Sequence, residues 1–451
     1  MTYPRAVVSL ALFGTALFGT ACGSWQRVGS SPAPSTEQTL TQILDLATTY
    51  RRLGRLAAEE PVPFVGTVVF AAAPNDSVLG VLGLSLPNRA LVFQREERGF
   101  VARYRVEATF LRAGAAPIRL ARDEVVRVAS FQETTRSDES IVFQEAVRLE
   151  PGTYRVSVVV RDRTNNESSR AEAEYIAPRL GEGSVSEPML VYQARSRRRL
   201  TDTLSFILNP RGTVAYGGDT LSAYVEGYRF AGPATVPVEI RDGQDSVVLR
   251  DSIRFDGGSE VEGRILRLLP DTMPLGELVV AVGRGDDRRQ QTALVSFSHA
   301  WLVTNFEEMI SLLRYFGQDN RLAAIRRASP AERPALWREF WRDTDPDPST
   351  PENEAIAQYF ARVAIANQRF NDEGIEGWRT DRGEVYITLG DPDETFDASA
   401  TSQGRVIRWS YTNERLTLFF HDETGFGRFR LTPNSRSEFE RVVGRLRRQA
   451  S

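Results

Sequence analysis

Two groups of carboxylates in the last third of the chain are spaced as chemistry would need them. Asp381 stands ten residues before Asp391 and twelve before Asp393 in "EGWRTDRGEVYITLGDPDE", residues 376–394. Two carboxyls can serve as acid and base, as in glycoside hydrolysis, when they flank a cleft about 5–10 Å apart. Asp343, Asp345, Asp347 and Glu354 occupy relative positions 1, 3, 5 and 12 of one loop, the spacing of EF-hand calcium ligands. The remaining inventory narrows the choice. All 56 Lys+Arg residues are arginine, which removes Schiff-base chemistry, lysine bases and the P-loop lysine. His299 and His421 are the only histidines and Cys22 the only cysteine, so His-rich or Cys-rich zinc sites and internal disulfides are excluded within one chain. A net charge of -3 over 451 residues gives no reason to expect nucleic acid.

Neither acidic group meets its requirement easily. "EVYITLG", with Val385, Ile387 and Leu389 alternating, reads as a strand. It would hold Asp381 and Asp391 roughly 30 Å apart at about 3.3 Å per residue. In the 343–354 loop the sixth position needs a left-handed glycine, and Pro348 stands there with φ fixed near -65°. Pro346 and Pro351 stiffen it further. The reading is a rigid connector whose acids cap the next helix, with Asp343, Asp345, Asp347 and Glu354 left as the one candidate ligand set for a calcium ion. No cofactor is called for.

The elements around these residues change period after Trp301. "NFEEMISLLRYF" and "RLAAIRRA" carry apolar residues at helical spacing, and Ser329, Pro330 and Glu332 open a helix that shows Trp337, Phe340 and Trp341 on one face. Another helix opens at Thr350 and displays Ile356, Tyr359, Phe360, Val363 and Phe370. Then "NDEGIEG" supplies the glycines of a helix end. Trp378 is expected to pin that turn to the Trp337 and Trp341 face, while Thr380 and Asp381 bond to turn N–H groups. "RVIRWSYT", "RLTLFFHD" and "RFRLT" read as strands, and a short helix starts at Ser437.

This succession, a tryptophan-rich helix, "DPDPSTPENE", a Tyr-containing helix, "GWRTDRGEVYITLGDPDE" and a later W-x-Y with aromatic strands, resembles the GWxTD domain of bacterial proteins, many of them lipoproteins. The residues matching its naming motif are Gly377, Trp378, Thr380 and Asp381. The resemblance implies no activity. Trp337, Trp341, Asp345, Asp347, Asn353, Glu354, Arg382 and Asp391 are the candidates for a binding or structural role around the motif.

Upstream the pattern has period two. "FVARYRVEATF" alternates as a half-buried strand does, and "VRLEPGTYRVSVVVRDRTNNESS" gives a turn, a strand and a polar hairpin loop resembling late strands of immunoglobulin-like sandwiches. A second set of strands runs from Pro188 to about residue 300, where "LPDTMPLGELVVAV" echoes "LEPGTYRVSVVV". The fold class is multidomain: two all-β immunoglobulin-like sandwich modules, 61–180 and 188–300, precede an α+β GWxTD domain, 301–451, of helices and a small antiparallel sheet. The sandwiches are expected to act as spacers that hold the last domain off a membrane.

The membrane enters through residues 1–22. Arg5, the apolar run Ala6 to Phe18 and Gly19-Thr20-Ala21 before Cys22 have the layout of a secretory signal, too short for an ordinary span. The lone cysteine after small residues resembles the lipobox of bacterial lipoproteins, although Gly19 replaces the usual leucine. That resemblance implies lipidation of Cys22 and an outer-membrane address facing the periplasm or the cell surface. Residues 23–60 are read as a flexible tether and short helix, with Ser35 and Gln38 as a capping box and Leu40, Ile43, Leu44, Ala47 and Tyr50 as its apolar stripe. The functional expectation is a lipid-anchored envelope protein that binds an envelope protein partner through its GWxTD domain. The alternative is a carboxylate-dependent hydrolase of an envelope glycan or peptide.

Overall fold

A strand with one face in water alternates apolar and polar residues, but Phe64–Ala72 (FVGTVVFAA) does not, and every residue of it is buried. A computed structural model shows why; it describes residues 25–27, 46–135, 140–297, 306–349, 353–370, 376–398, 405–423, 425 and 427–450. Cys22 and the signal segment, Ser35, Gln38, Leu40, Ile43, Leu44, His299, Trp301 and Thr350 lie outside the described residues. Among the described residues no helix is long and apolar enough to cross a membrane. The chain divides into two units, Pro34–Ile365 and Met1–Ala33 with Ala366–Ser451.

β1 (Trp25–Arg27) belongs to the second unit, and the first begins with α1 (Leu46–Arg52). Its first sandwich contains β2 (Leu56–Ala58), β3 (Phe64–Ala72), β4 (Val78–Pro87), β5 (Gln94–Glu96), β6 (Gly99–Leu111), β7 (Ile118–Val128), α2 (Phe131–Thr134), β8 (Ser140–Leu149), β9 (Gly152–Asp162) and β10 (Ser168–Ala177). They form two antiparallel sheets, β2-β3-β4-β8 and β10-β9-β6-β5, with β7 also on β6. In β6 the expected alternation holds: Ala102, Tyr104, Val106, Ala108 and Phe110 are buried between Arg103, Arg105 and Glu107. Tyr154, just past the Pro-Gly turn, is buried and donates its hydroxyl to the Glu150 carbonyl at 3.0 Å, the tyrosine corner of such sandwiches.

The second sandwich comprises β11 (Met189–Arg195), β12 (Ser205–Leu208), β13 (Thr213–Ala215), β14 (Leu221–Tyr228), β15 (Ala234–Asp242), β16 (Val247–Phe255), β17 (Val261–Leu268), β18 (Gly276–Val282) and β19 (Arg289–Ser296). Its sheets are β12-β11-β14-β17 and β13-β19-β18-β15-β16, with β13 parallel to β19.

The two sandwiches share a buried layer. Along β3, Val68, Phe70 and Ala72 enter the core of the first sandwich. The intervening Val69 and Ala71 pack with Met189, Val191, Phe206, Leu208 and Tyr224 of the second. Polar groups lock the seam. Arg197 and Glu226, with side chains 2% and 0% exposed, form a bidentate pair with both N···O distances 2.9 Å. Arg197 also donates to the Ala72 carbonyl at 2.6 Å, and Tyr224 and Tyr228 donate to the two Glu226 oxygens at 3.0 and 2.9 Å. Gln144 accepts from Leu208 N–H and donates to the Phe206 carbonyl, both at 3.0 Å, replacing a rung between β8 and β12.

The same unit ends in α3 (Phe306–Leu312), α4 (Asp319–Arg327) and α5 (Arg333–Thr344), and the boundary between units falls inside α6 (Glu354–Arg369). The start signal at Ser329 lies one turn before α5, with Ser329 N–H and hydroxyl both donating to the carboxylate of Glu332, the N-cap, at 3.0 and 2.7 Å.

The second unit holds α7 (Asp381–Leu389), β20 (Glu394–Ala398), β21 (Arg405–Tyr411), β22 (Leu416–Asp422), β23 (Arg430–Leu431) and α8 (Pro433–Ala450). Its antiparallel sheet has the order β1-β20-β21-β22-β23. Three differences from expectation matter. "EVYITLG" lies in the helix α7, not in a strand. Within the stretch read as tether, Trp25–Arg27 is a strand paired with β20. The last helix starts four residues before Ser437 and is 18 residues long.

Candidate functional site

The motif residues Gly377, Trp378, Thr380 and Asp381 build the start of α7. Gly377–Arg379 makes one 3-10 turn, and Thr380, buried and extended, is the N-cap. Its hydroxyl accepts from Gly383 N–H at 3.1 Å and donates to the Gly377 carbonyl at 2.7 Å, so both of its functions are engaged. The glycines are required by space. A Cβ on Gly377 would lie 2.2 Å from the Ala366 carbonyl oxygen at the end of α6, and one on Gly383 would lie 2.0 Å from the Gly377 oxygen. A side chain at Gly377 drives the turn off α6, and one at Gly383 drives α7 off the turn. Trp378 is buried, with the Arg379 guanidinium 4.7 Å from its ring and bonded in turn to Glu376 at 3.0 Å.

Asp381 is the first residue of α7, where a carboxylate faces the positive end of the helix dipole. Its side chain is 16% exposed. One oxygen accepts from Leu431 N–H of β23 at 2.7 Å; the other meets Arg436 at 3.1 Å and Arg430 at 3.4 Å. Arg436 bonds Glu384 as well, at 2.6 Å. Burial lowers the Arg436 pKa, but its bonds to these two acids outweigh that and hold it above the ordinary value. Asp381 therefore ties α7 to β23 and α8.

Arg382 lies between two rings, 5.4 Å from Phe370 and 4.4 Å from Phe429. Phe370 packs on Tyr386 and Trp409, and Trp409 on Phe420, so the arginine plates the aromatic core of this unit. Asp391 pairs with Arg369 at 2.7 Å, and the Tyr386 hydroxyl approaches it at 3.5 Å. Asp393 accepts from Thr412 N–H at 2.6 Å. Because the segment is a helix, the 30 Å separation inferred for Asp381 and Asp391 does not hold. The eight steps of α7 advance only about 12 Å at 1.5 Å per residue. What separates the two acids functionally is that each is bonded to a different arginine and to different elements, Asp381 to β23 and α8 and Asp391 to α6 and α7.

The acids of the α5–α6 connector are arranged as turns. Asp343 pairs with Arg321 and Arg342 at 3.3 and 3.1 Å. Asp345 accepts from Asp347 N–H at 3.0 Å, and Asp347 accepts from the Ser349 N–H and hydroxyl, which hold its carboxyl below the usual range. The expectation that these aspartates cap the next helix is corrected. The cap is Asn353, fully buried, whose Oδ1 accepts from Ile356 N–H at 3.0 Å while its Nδ2 donates to the Trp341 carbonyl at 2.8 Å. Glu354 begins α6. Among the described residues no group of three or more His, Cys, Asp or Glu side chains could hold a metal ion. Trp337 is buried and stacks with Phe340 at 5.2 Å, and Trp337 and Trp341 both gather on Phe297, the residue after β19, at 4.7 and 6.4 Å. Phe297, Trp337 and Phe340 are core, and Trp341 is half-buried at its edge.

Sequence reasoning missed Arg436, Glu384 and Leu431, which complete the Asp381 network. Leu431 and Arg436 lie 50 and 55 residues on from Asp381, and nothing local in "LTPNSR" announces the contact.

Residues 282–436 match the family model of the GWxTD domain, a match that reaches back to the last residue of β18 and takes in β19 with the helices. No curated protein matches. Among solved structures, the calcium-binding domain CBD12 of CALX1.1 aligns at 9% identity over 60% of this chain and 93% of its own, with a TM-score of 0.13. Trypsin-activated alpha-2-macroglobulin from Escherichia coli aligns at 9% identity over 56% of this chain and 18% of its own, with a TM-score of 0.16. At these TM-scores the alignments carry no functional information.

Proposed function

We propose that the protein is a lipid-anchored component of the cell envelope with a non-enzymatic, binding or structural role, and that its GWxTD domain engages an envelope protein partner. The observation that carries this reading is the engagement of the motif by the fold itself. The Thr380 hydroxyl, both Asp381 oxygens and the Asp391 carboxylate each have internal partners. A catalytic acid or base must instead reach a substrate proton. The anchor rests on Cys22 and the residues before it, which place an outer-membrane address among the expectations.

The test has two arms on the full chain. Radioactive palmitate should label the wild-type chain and not Cys22→Ser, and absence of label removes the anchor. Purified protein incubated with isolated envelope glycan and envelope peptides should release no fragments. Release that disappears in Asp391→Asn or Asp393→Asn would replace this reading with the hydrolase.

A further inference from the structure

The N-terminal strand has a positional consequence. Trp25, Gln26 and Arg27 pair antiparallel with Ala398, Asp397 and Phe396, so β1 is the outer strand of the second unit's sheet and covers the free edge of β20. Cys22 precedes Trp25 by three residues, and three residues reach at most about 10 Å. Between Arg27 and Leu46, in contrast, lie 18 residues, enough for about 60 Å when extended. A lipid on Cys22 would therefore attach within about 10 Å of Trp25 in this sheet.

A second feature of the same unit points the same way. In α8, Phe439 and Val442 are buried on the side that packs against β22. Arg441, Arg445 and Arg448 recur at i, i+4 and i+7, exposed beside that buried face, Arg441 pairing with Glu438 at 3.2 Å and Arg445 donating to the Glu414 carbonyl at 3.3 Å. Over Pro433–Ala450 five arginines oppose two glutamates, a net +3, in a chain whose total is -3. One acyl anchor with a basic patch is the combination that holds a protein stably on an acidic bilayer.

We infer that the second unit carries a membrane-binding surface: β1 brings an N-terminal anchor to its sheet, and the Arg441, Arg445 and Arg448 stripe meets acidic phospholipid headgroups. The inference rests on the lipid-anchor reading for its N-terminal half.

Two measurements test it, both on the full chain carrying Cys22→Ser so that no acyl group contributes. Gln26→Cys with Asp397→Cys joins register partners, whose Cβ atoms in adjacent strands lie about 4.5–5.5 Å apart. This pair should close a disulfide under mild oxidation, whereas Gln26→Cys with Glu394→Cys should stay reduced. In flotation, the chain should partition onto phosphatidylcholine vesicles containing phosphatidylglycerol at least about tenfold better than onto phosphatidylcholine alone at low salt. Arg441→Gln/Arg445→Gln/Arg448→Gln should abolish that preference with its melting curve unchanged. Failure of the first disulfide, equal closure of the two pairs, or equal partition onto both vesicles overturns the inference. If both results hold while wild type takes no palmitate, the anchor reading falls and the membrane-facing surface stands.

Discussion

Replacing Asp381 should loosen one corner of the C-terminal unit by an amount that can be worked from its bonds. Its carboxylate accepts from Leu431 N–H at 2.7 Å, and a hydrogen bond to a charged group contributes about 1.5–3 kcal/mol. Its place in the first turn of α7 adds roughly 0.3–1 kcal/mol through the helix dipole. The ion pairs to Arg436 and Arg430, whose side chains are 29% and 47% exposed, add little, about 0.2–1 kcal/mol each. Asp381→Ala should thus cost about 3 kcal/mol, and Asp381→Asn, which keeps one acceptor for Leu431, about 1–2 kcal/mol. A chain of several units does not unfold in one step, so a single midpoint would blur the effect. Hydrogen exchange read by mass spectrometry localises it. Peptides covering α7 and residues 428–436 should exchange about a hundredfold faster in Asp381→Ala, while peptides from β3 and β6 stay unchanged. Asp391→Asn, at a side chain 62% exposed, should leave the same peptides within about 0.5 kcal/mol of wild type. Unchanged exchange in Asp381→Ala, together with loss of a binding partner, would refute the structural role and make this carboxylate part of a recognition surface.

Gly377→Ala and Gly383→Ala place a methyl 2.2 and 2.0 Å from carbonyl oxygens, and each should cost more than a cap deletion of about 1 kcal/mol, seen as proteolysis of the C-terminal unit in an otherwise resistant chain. At the sandwich seam, Arg197→Met leaves Glu226 buried without its cation and should destabilise by about 3–5 kcal/mol, and adding Glu226→Leu should restore much of the loss, as read in urea melts. Glu187 gives a pH dependence: desolvation pushes its carboxyl up to about 7, against Arg289, Phe70 N–H and Arg55, which favour the charged form. A pKa raised on folding means the native state binds the extra proton, so this stabilisation is complete below the unfolded value of about 4.3 and is lost as pH rises through 7. Melting temperature should therefore fall from pH 5 to pH 8, and Glu187→Gln should flatten the slope.

The misread element shows where sequence patterns stop deciding. In "DRGEVYITL" the apolar residues Val385, Ile387 and Leu389 alternate, and β-branched residues favour a strand, yet the segment is the helix α7. Over nine residues the two periods overlap too closely to separate. Thr380 and Gly383 held the answer: the hydroxyl-to-N–H bond read as turn chemistry is the same bond that caps a helix. The strands β6, β9, β21 and β22 were legible because their alternation is long and one-sided. The Asp381 network was not, because Leu431 and Arg436 reach it only through the tertiary fold.

The seam between the sandwiches was written in the sequence but in a different code. "FVGTVVFAA" and "VLGVLGLSLP" lack a polar face, which a strand can bear only if both sides are covered. The first sandwich covers one side of β3, so some other element must cover Val69 and Ala71. In β4, Gly83 leaves room for it, since a Cβ there would lie 2.9 Å from Leu208 of β12. Such a strand pair predicts a partner layer without naming it, and the neighbouring module is the layer that fills the role. Glu226, set between Val225 and Gly227, and Arg197, one of the charges in "SRRR", then fix the register of the two layers through the Arg197 bond to the Ala72 carbonyl. Hydrophobic burial alone would let them slide.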